Sequence, residues 1–418
     1  MHLLDNPSTK TVDAWDDFDS RIRIGMDLIY DVLEINMLRF KSKKMKIIIL
    51  SVAAFVIIFF SMDFNKITKS KKVISIENKK TNIKQPANWP WRGINIISSD
   101  TIGLNRKKIQ GLKKMGINTV RLSIHVRQFS DKNNLSIETA EKLNLNWCEN
   151  IVKWCAEESI DVILNSIDFP LNPVKKFDRT SSKFWSSENE LNDAISYIEK
   201  LIIRFDGYDN VIAYDFFGEP VEKVVGGKDK VPKNWINFFR RILKTIRSHS
   251  NKYVVFTPGP WGSPKGYSDF LKPFEDNNII YGFHYYKPHK YTHQGIKKYP
   301  ENINYPGLIG NKYWNKNTIQ KSMLDANNWA QKNDKLLYVG EFSVVRRAKG
   351  KDQYIEDVLA SFEENNMSYT YWCLNGWDGW NMNFDQEKEG EKKIAKSTEI
   401  TKTREILEKY WAKNKVNK

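Results

Sequence analysis

The chain has 418 residues, 66 Lys and Arg against 50 Asp and Glu for a net charge of +16, three cysteines and 13% aromatic side chains. With 41% hydrophobic residues this composition excludes intrinsic disorder, and three cysteines exclude a disulfide-stapled scaffold. The length suits one large α/β domain with attachments, because a closed α/β barrel alone takes about 250 residues.

In chain order, residues 1–44 come first, with Trp15, Phe18, Ile22, Met26, Ile29 and Leu33 near helical spacing, and a short cytoplasmic helix is expected there. Met45 followed by Lys46 and an apolar run also reads as a start for an exported protein. Residues 1–38 hold three basic and eight acidic side chains, whereas 39–84 hold twelve and two, so the basic excess surrounds that run. The run is Ile47 to Met62, IIILSVAAFVIIFFSM, behind KSKKMK. At about 1.5 Å per residue it spans roughly 24 Å, which Phe64 and snorkelling lysines extend toward a hydrocarbon core of about 30 Å. Residues 45–64 are therefore expected to be a transmembrane or signal-anchor helix. A cleaved signal peptide is the alternative, but SMDFNKITKS offers no A-x-A-like cleavage site. The lysines before the run favour a cytoplasmic N-terminal side, leaving the bulk of the chain outside the cytoplasm, anchored or else secreted. A polar linker is expected at 65–87.

From residue 88 to 412, short apolar runs alternate with longer amphipathic ones. The strand candidates are 91–96, 118–124, 161–167, 211–217, 252–258, 279–285, 336–342 and 369–375. Helices are expected around 105–116, 138–159, 190–205, 234–248, 318–332 and 353–364. Ser187 with Glu190 three residues later is a capping-box start. Eight alternating units predict an α/β fold, a (β/α)8 TIM barrel, with 413–418 as a tail. Cys148 and Cys155 are seven apart on one helix, roughly 10 Å along its axis, and are expected to be free buried thiols.

In such a barrel, chemistry sits at the C-terminal strand ends. Those ends carry Arg121 on strand 2, Asn165 and Asp168 on strand 3, Gly218-Glu219-Pro220 on strand 4, His284-Tyr285-Tyr286 on strand 6, Gly340-Glu341-Phe342 on strand 7 and Trp372 on strand 8. Two carboxylic acids, Glu219 and Glu341, end apolar strands instead of sitting on solvated helix faces. A carboxyl pair about 5 to 5.5 Å apart serves retaining glycoside hydrolysis, one acid protonated and the other ionised.

WRGINI, GINTVRLSI, NVIAYDFFGEP, GFHYYKPHKYTHQG, YVGEFS and YWCLNGW, in this order and spacing, resemble the strand-end motifs of glycoside hydrolase family 5, the cellulase-type (β/α)8 enzymes. The resemblance covers roughly residues 88–412. It implies Glu219 as general acid/base and Glu341 as nucleophile, with Arg121 and Tyr286 holding the nucleophile. It also implies His284 beside both carboxylates and Trp372 as the floor of the sugar subsite. Two positions depart from the family: Gly218 stands where an Asn usually precedes the acid/base, and Ile167 where strand 3 usually ends in His. Either Asn165 or Asp168 fills the gap, or Gly218 makes room for a bulkier sugar 2-substituent. The long aromatic segment 288–314, with Trp377 and Trp380, is expected to wall the cleft.

His284, His289 and His293 lack Cys or paired acids at ligand spacing, so no metal is expected, and the chemistry needs no cofactor. The barrel's basic residues interleave with acids as on solvated faces, and no nucleic-acid partner is expected. The expected partners are a β-linked glycan and a membrane through residues 47–62. The expected function is a retaining β-glycosidase on a β-linked polysaccharide or oligosaccharide. The alternative is a catalytically impaired glycan-binding protein of a polysaccharide assembly or export system on the same scaffold.

Overall fold

The structure, a computed structural model, describes residues 85–415 apart from 102, 171–177, 271, 298 and 387–392. The expected N-terminal helix, the anchor at 45–64 and all but the last residues of the linker lie outside the described residues. Among the described residues no helix is long and apolar enough to cross a membrane.

Eight parallel strands close a barrel: β1 (Arg92–Ile97), β2 (Thr119–His125), β3 (Asp161–Asp168), β4 (Val211–Phe216), β5 (Tyr253–Phe256), β6 (Ile279–Tyr285), β7 (Leu337–Phe342) and β8 (Ser368–Tyr371). Each pairs with the next in sequence, and β8 closes on β1 through Arg92 opposite Tyr369. All eight apolar runs picked out in the sequence are barrel strands.

Helices such as Ile137–Glu157, Glu188–Phe205, Trp235–Arg247 and Lys351–Glu364 bury one face against the strands. Ser187 accepts from the Glu190 amide as the capping pattern requires. Two elements differ from expectation. The helix expected over 318–332 is two, Lys316–Lys321 and Leu324–Asn333. At the break the Ser322 hydroxyl bonds the Ile319 carbonyl and the Tyr285 hydroxyl, a local alternative to the helical ladder. Between β5 and β6 the described chain forms only short 3-10 turns, Pro260–Gly262 and Pro264–Ser268. The end of the chain is also less free than a tail: Asn414 donates to the carbonyls of Arg92 and Gly116 under the barrel. Cys148, Cys155 and Cys373 are buried and unbridged.

The barrel interior has two levels. Alternate strand residues point inward, and in the lower level these are Trp91, Ile163, Ala213, Val255, Ile280 and Tyr338, a separate apolar cluster. Two to four residues further on, the inward positions are polar and buried: Asn95, Arg121, Asn165, Asp215, His284 and Glu341. The functional groups thus stand on an apolar floor at the C-terminal ends of the strands.

Candidate active site

Two backbone irregularities aim the carboxylates. Along β7, Tyr338 faces inward and a regular strand would turn Glu341 outward. The pairing with β6 skips from Phe283–Val339 to His284–Glu341, a bulge at Gly340 that restores Glu341 to the inner face. A Cβ at Gly340 would lie 3.0 Å from His284 Nε2, so the glycine lets the imidazole pass.

After β4, Phe217 has φ 58°, in the left-handed region that bulky residues avoid. This turn keeps the Phe217 ring on the outer face. There it stacks on Phe169 with centroids 4.5 Å apart and packs against Phe184, Trp185, Trp235 and Phe238. The same turn swings Gly218 and Glu219 into the barrel mouth. Surrounding packing holds the unfavourable conformation in place, as such conformations require.

Glu341 is held on both oxygens. Arg121 Nη1 donates to Oε1 at 2.9 Å and Tyr286 OH donates to Oε2 at 3.0 Å. Arg121, fully buried, also donates through Nε to Asp215 at 2.7 Å and through Nη1 to Asn95 at 2.9 Å. Burial alone would lower the Arg121 pKa, but Asp215 and Glu341 raise it, so the guanidinium is a permanent cation. Burial, Glu341 and Glu219 push the Tyr286 phenol well up, so it stays a donor.

Glu219 faces Glu341 across His284. His284 Nδ1 lies 3.1 Å from Glu219 Oε1 and 3.7 Å from Glu341 Oε2. Burial would lower the His284 pKa, yet the adjacent Glu341 and Glu219 raise it overall. On its other side Glu219 meets Arg179, which donates to Oε2 at 3.0 Å and to the Glu219 carbonyl at 2.6 Å. Burial would raise the Glu219 pKa, but His284 and Arg179 outweigh it and hold the carboxyl down to about 2.

One donor atom each from Glu219, His284 and Glu341 lie within 4.8 Å of one another, a spacing a metal ion also accepts. Arg121 and Arg179 already engage one oxygen of each carboxylate, and their positive charge disfavours a dication there. The His289 and His293 rings stack at 3.6 Å, and Tyr299 packs against His289 at 5.0 Å. Burial and His289 lower the His293 pKa to about 3, so this ring is neutral. Trp380 contacts His293 and Tyr286, and half-exposed Trp377 packs edge-on against Trp380.

The other sequence candidates lie near this cluster in different ways. Asn165 is buried with both amide atoms unpartnered, opposite Ser123 and Asp215 in register. Asp168 is the last residue of β3. Trp372 follows β8 and donates its amide to the Phe342 carbonyl. At Gly218 a Cβ would meet Arg121 Nη2, Asp215 Oδ1 and His284 Nε2 at 3.1, 3.2 and 3.3 Å, all three unpartnered. Sequence reading missed Asn95, Asp215 and Arg179. The first two were visible as polar residues at inward positions of apolar strands; Arg179 sits in a loop with no motif around it.

A closed (β/α)8 barrel with two carboxylates facing each other at its mouth defines a class of glycosidic-bond hydrolases. Residues 78–378 match the cellulase family, glycosyl hydrolase family 5, and the chain belongs to that family of glycoside hydrolases. It is 22% identical over 303 residues to Endoglucanase C of Acetivibrio thermocellus, covering 66% of this chain and 85% of that one. It is 22% identical to Cellodextrinase A of Ruminococcus flavefaciens, covering 58% and 70%. Among solved structures, a hyperthermophilic endo-beta-1,4-glucanase in complex with substrate superposes with TM-score 0.57 at 20% identity, covering 75% of this chain and 96% of that one. The cellulose synthase subunit Z of Clostridioides difficile superposes with TM-score 0.56 at 20% identity, covering 76% and 98%.

Proposed function

We propose that this chain is a retaining β-glycosidase that hydrolyses a β-linked glucan or related glycan by double displacement. The observation that carries the reading is a pair of carboxylates facing each other across His284 at the barrel mouth, each held by its own arginine. Glu341 is aimed by Arg121 on one oxygen and Tyr286 on the other, the fixed orientation a nucleophile requires. Glu219 shares His284 with it and stands on the far side, as an acid/base requires. In this reading Glu341 attacks the anomeric carbon while Glu219 protonates the leaving oxygen. Glu219 then deprotonates the water that releases the sugar. His284 sits beside both groups, Trp372 floors the subsite, and Asn165, Asp168 and Trp377 contact the glycan. The names of the relatives make β-1,4-glucan the first substrate to try.

Product anomers followed by NMR test the mechanism: β-product must appear first. Glu341→Gln must abolish turnover. Glu219→Gln must spare kcat/KM, which reports the first step, on substrates whose leaving group needs no proton, such as dinitrophenyl glycosides, while kcat falls because the second step loses its base. Appearance of α-product first overturns the reading.

Gly218 and Ile167 alter the sugar site relative to the family's usual Asn and His. The three unpartnered atoms around Gly218 favour a compact polar group there, a hydroxyl or water, over an acetamido substituent. We also propose that residues 47–62 tether the enzyme to a membrane with the barrel outside the cytoplasm. Loss of membrane association on deleting 1–64 tests this.

A second reading, a catalytically impaired glycan-binding subunit of a polysaccharide assembly system, is favoured by one observation: both Glu219 oxygens are engaged by cationic or donor groups. The likeness to a cellulose synthase subunit fits it too. Binding of β-glucan without release of reducing ends distinguishes it.

A further inference from the structure

Arg179 poses a chemical problem for a general acid. A carboxylate held between a guanidinium and an imidazole is stabilised as the anion, and an anion has no proton to carry toward a leaving group. Glu219 is in that state, with Arg179 at 3.0 Å and His284 at 3.1 Å. His284 belongs to the site between the two acids, so Arg179 is the group that must yield. A neutral sugar hydroxyl is a poor competitor for a guanidinium already paired with a carboxylate, because the exchange gives up a charge-assisted bond. An anion competes on equal terms.

The surroundings of Arg179 match that requirement. Its guanidinium carbon lies 5.7 Å from the ring centre of Trp261, an indole 39% exposed, and Lys223 Nζ lies 5.7 Å from the same ring. The Lys223 amide bonds the Thr180 carbonyl, which ties its segment to the Arg179 loop. Two cations thus flank one accessible aromatic surface beside Glu219. Acids also lie close by: Asp229 accepts from the Trp261 indole, and Asp178, which burial would raise, is held down by its Thr180 bonds and by Lys223 and Arg179, so a bound anion competes with them for the two cations.

We infer that the leaving-group side of the cleft takes a glycan residue bearing an anionic substituent, a uronate carboxylate or an equivalent acid group, which pairs with Arg179 and Lys223 and frees Glu219. This rests on the reading of Glu219 as acid/base. Once freed, Glu219 takes a proton from solvent, gives it to the leaving oxygen, and regains one from the water that it activates. Arg179 is therefore a positioning residue that couples substrate charge to the acid.

The test uses the full chain in detergent, with cellohexaose and its C6-oxidised, glucuronate-bearing counterpart as probes. Dissociation constants are measured on Glu341→Gln and kcat/KM on the parent. The oxidised oligosaccharide is expected to bind at least tenfold more tightly at low salt. That preference is expected to shrink toward unity at 1 M NaCl, and in both Arg179→Gln and Lys223→Gln backgrounds. Equal affinity for the two probes, or a preference that survives both substitutions, overturns the inference. Preference in binding with no turnover of either probe supports the anionic subsite and instead retires the acid/base reading.

Discussion

Arg121 and Glu341 are joined across the barrel mouth, Nη1 to Oε1 at 2.9 Å, with the arginine fully buried. The same guanidinium bonds Asp215 at 2.7 Å, so one cation serves two carboxylates. Replacing it with Met leaves both anions without their counter-ion. Breaking such a pair costs about 3–5 kcal/mol. Arg121→Met is therefore expected to lower the melting temperature sharply. Arg121→Lys keeps the charge but cannot span both partners, so it is expected to recover much of the stability while kcat stays depressed. Thermal melts and steady-state kinetics on the two variants check this.

The Glu219–His284 pair sets how stability depends on pH. Glu219 is depressed to about 2 by His284 and Arg179 against the effect of burial, so its contribution is present above its ordinary range near 4.5 and is lost as pH falls toward 2. His284 is raised by Glu341 and Glu219, again against burial, so its contribution is present below about 6.5 and is lost as pH rises through the raised value. Stability is expected to be greatest between these limbs. Denaturant titrations across pH should show the acid limb flattened in Glu219→Gln and the alkaline limb flattened in His284→Gln. Because the two groups face each other, Glu219→Gln should shrink the alkaline limb as well.

At Phe217 the usual ranking of Ala over Gly is expected to invert. Deleting the ring costs about 3–5 kcal/mol in either variant. A Cβ in the left-handed region costs a further 1–2 kcal/mol or so, which glycine escapes. Phe217→Gly should therefore be the more stable of the two by about 1 kcal/mol in equilibrium unfolding.

Trp377 is 45% exposed and packs against Trp380, which in turn contacts Tyr286. Trp377→Ala is expected to raise KM on long oligosaccharides several-fold while the melting temperature stays within about 1 °C. A change in kcat of comparable size would argue against a substrate wall there.

The eight strands were legible because each is a short apolar run between amphipathic stretches, and closure follows from their number and alternation. The carboxylates were legible because an acid at the end of an apolar strand has few structural reasons to be there. The helix over 318–332 misled because its apolar spacing runs on through Ser322, and a hydroxyl partner on β6 decides the break. Arg179 was invisible for a similar reason: its importance comes from one contact made across forty positions of chain, and its neighbours in sequence carry no pattern. The bulge at Gly340 also escaped, since strand periodicity alone would have turned Glu341 outward.

The turn at Phe217 ties the placement of Glu219 to rings supplied by helix Glu188–Phe205's neighbour Trp185 and by helix Trp235–Arg247. Those rings lie outside the barrel, on helices and not on its strands. Loosening that outer layer by heat, solvent or mutation should therefore silence the enzyme before the barrel itself comes apart. Activity would then report on the health of the shell sooner than any spectroscopic melt does, and efforts to make the enzyme last longer are best aimed at that aromatic nest.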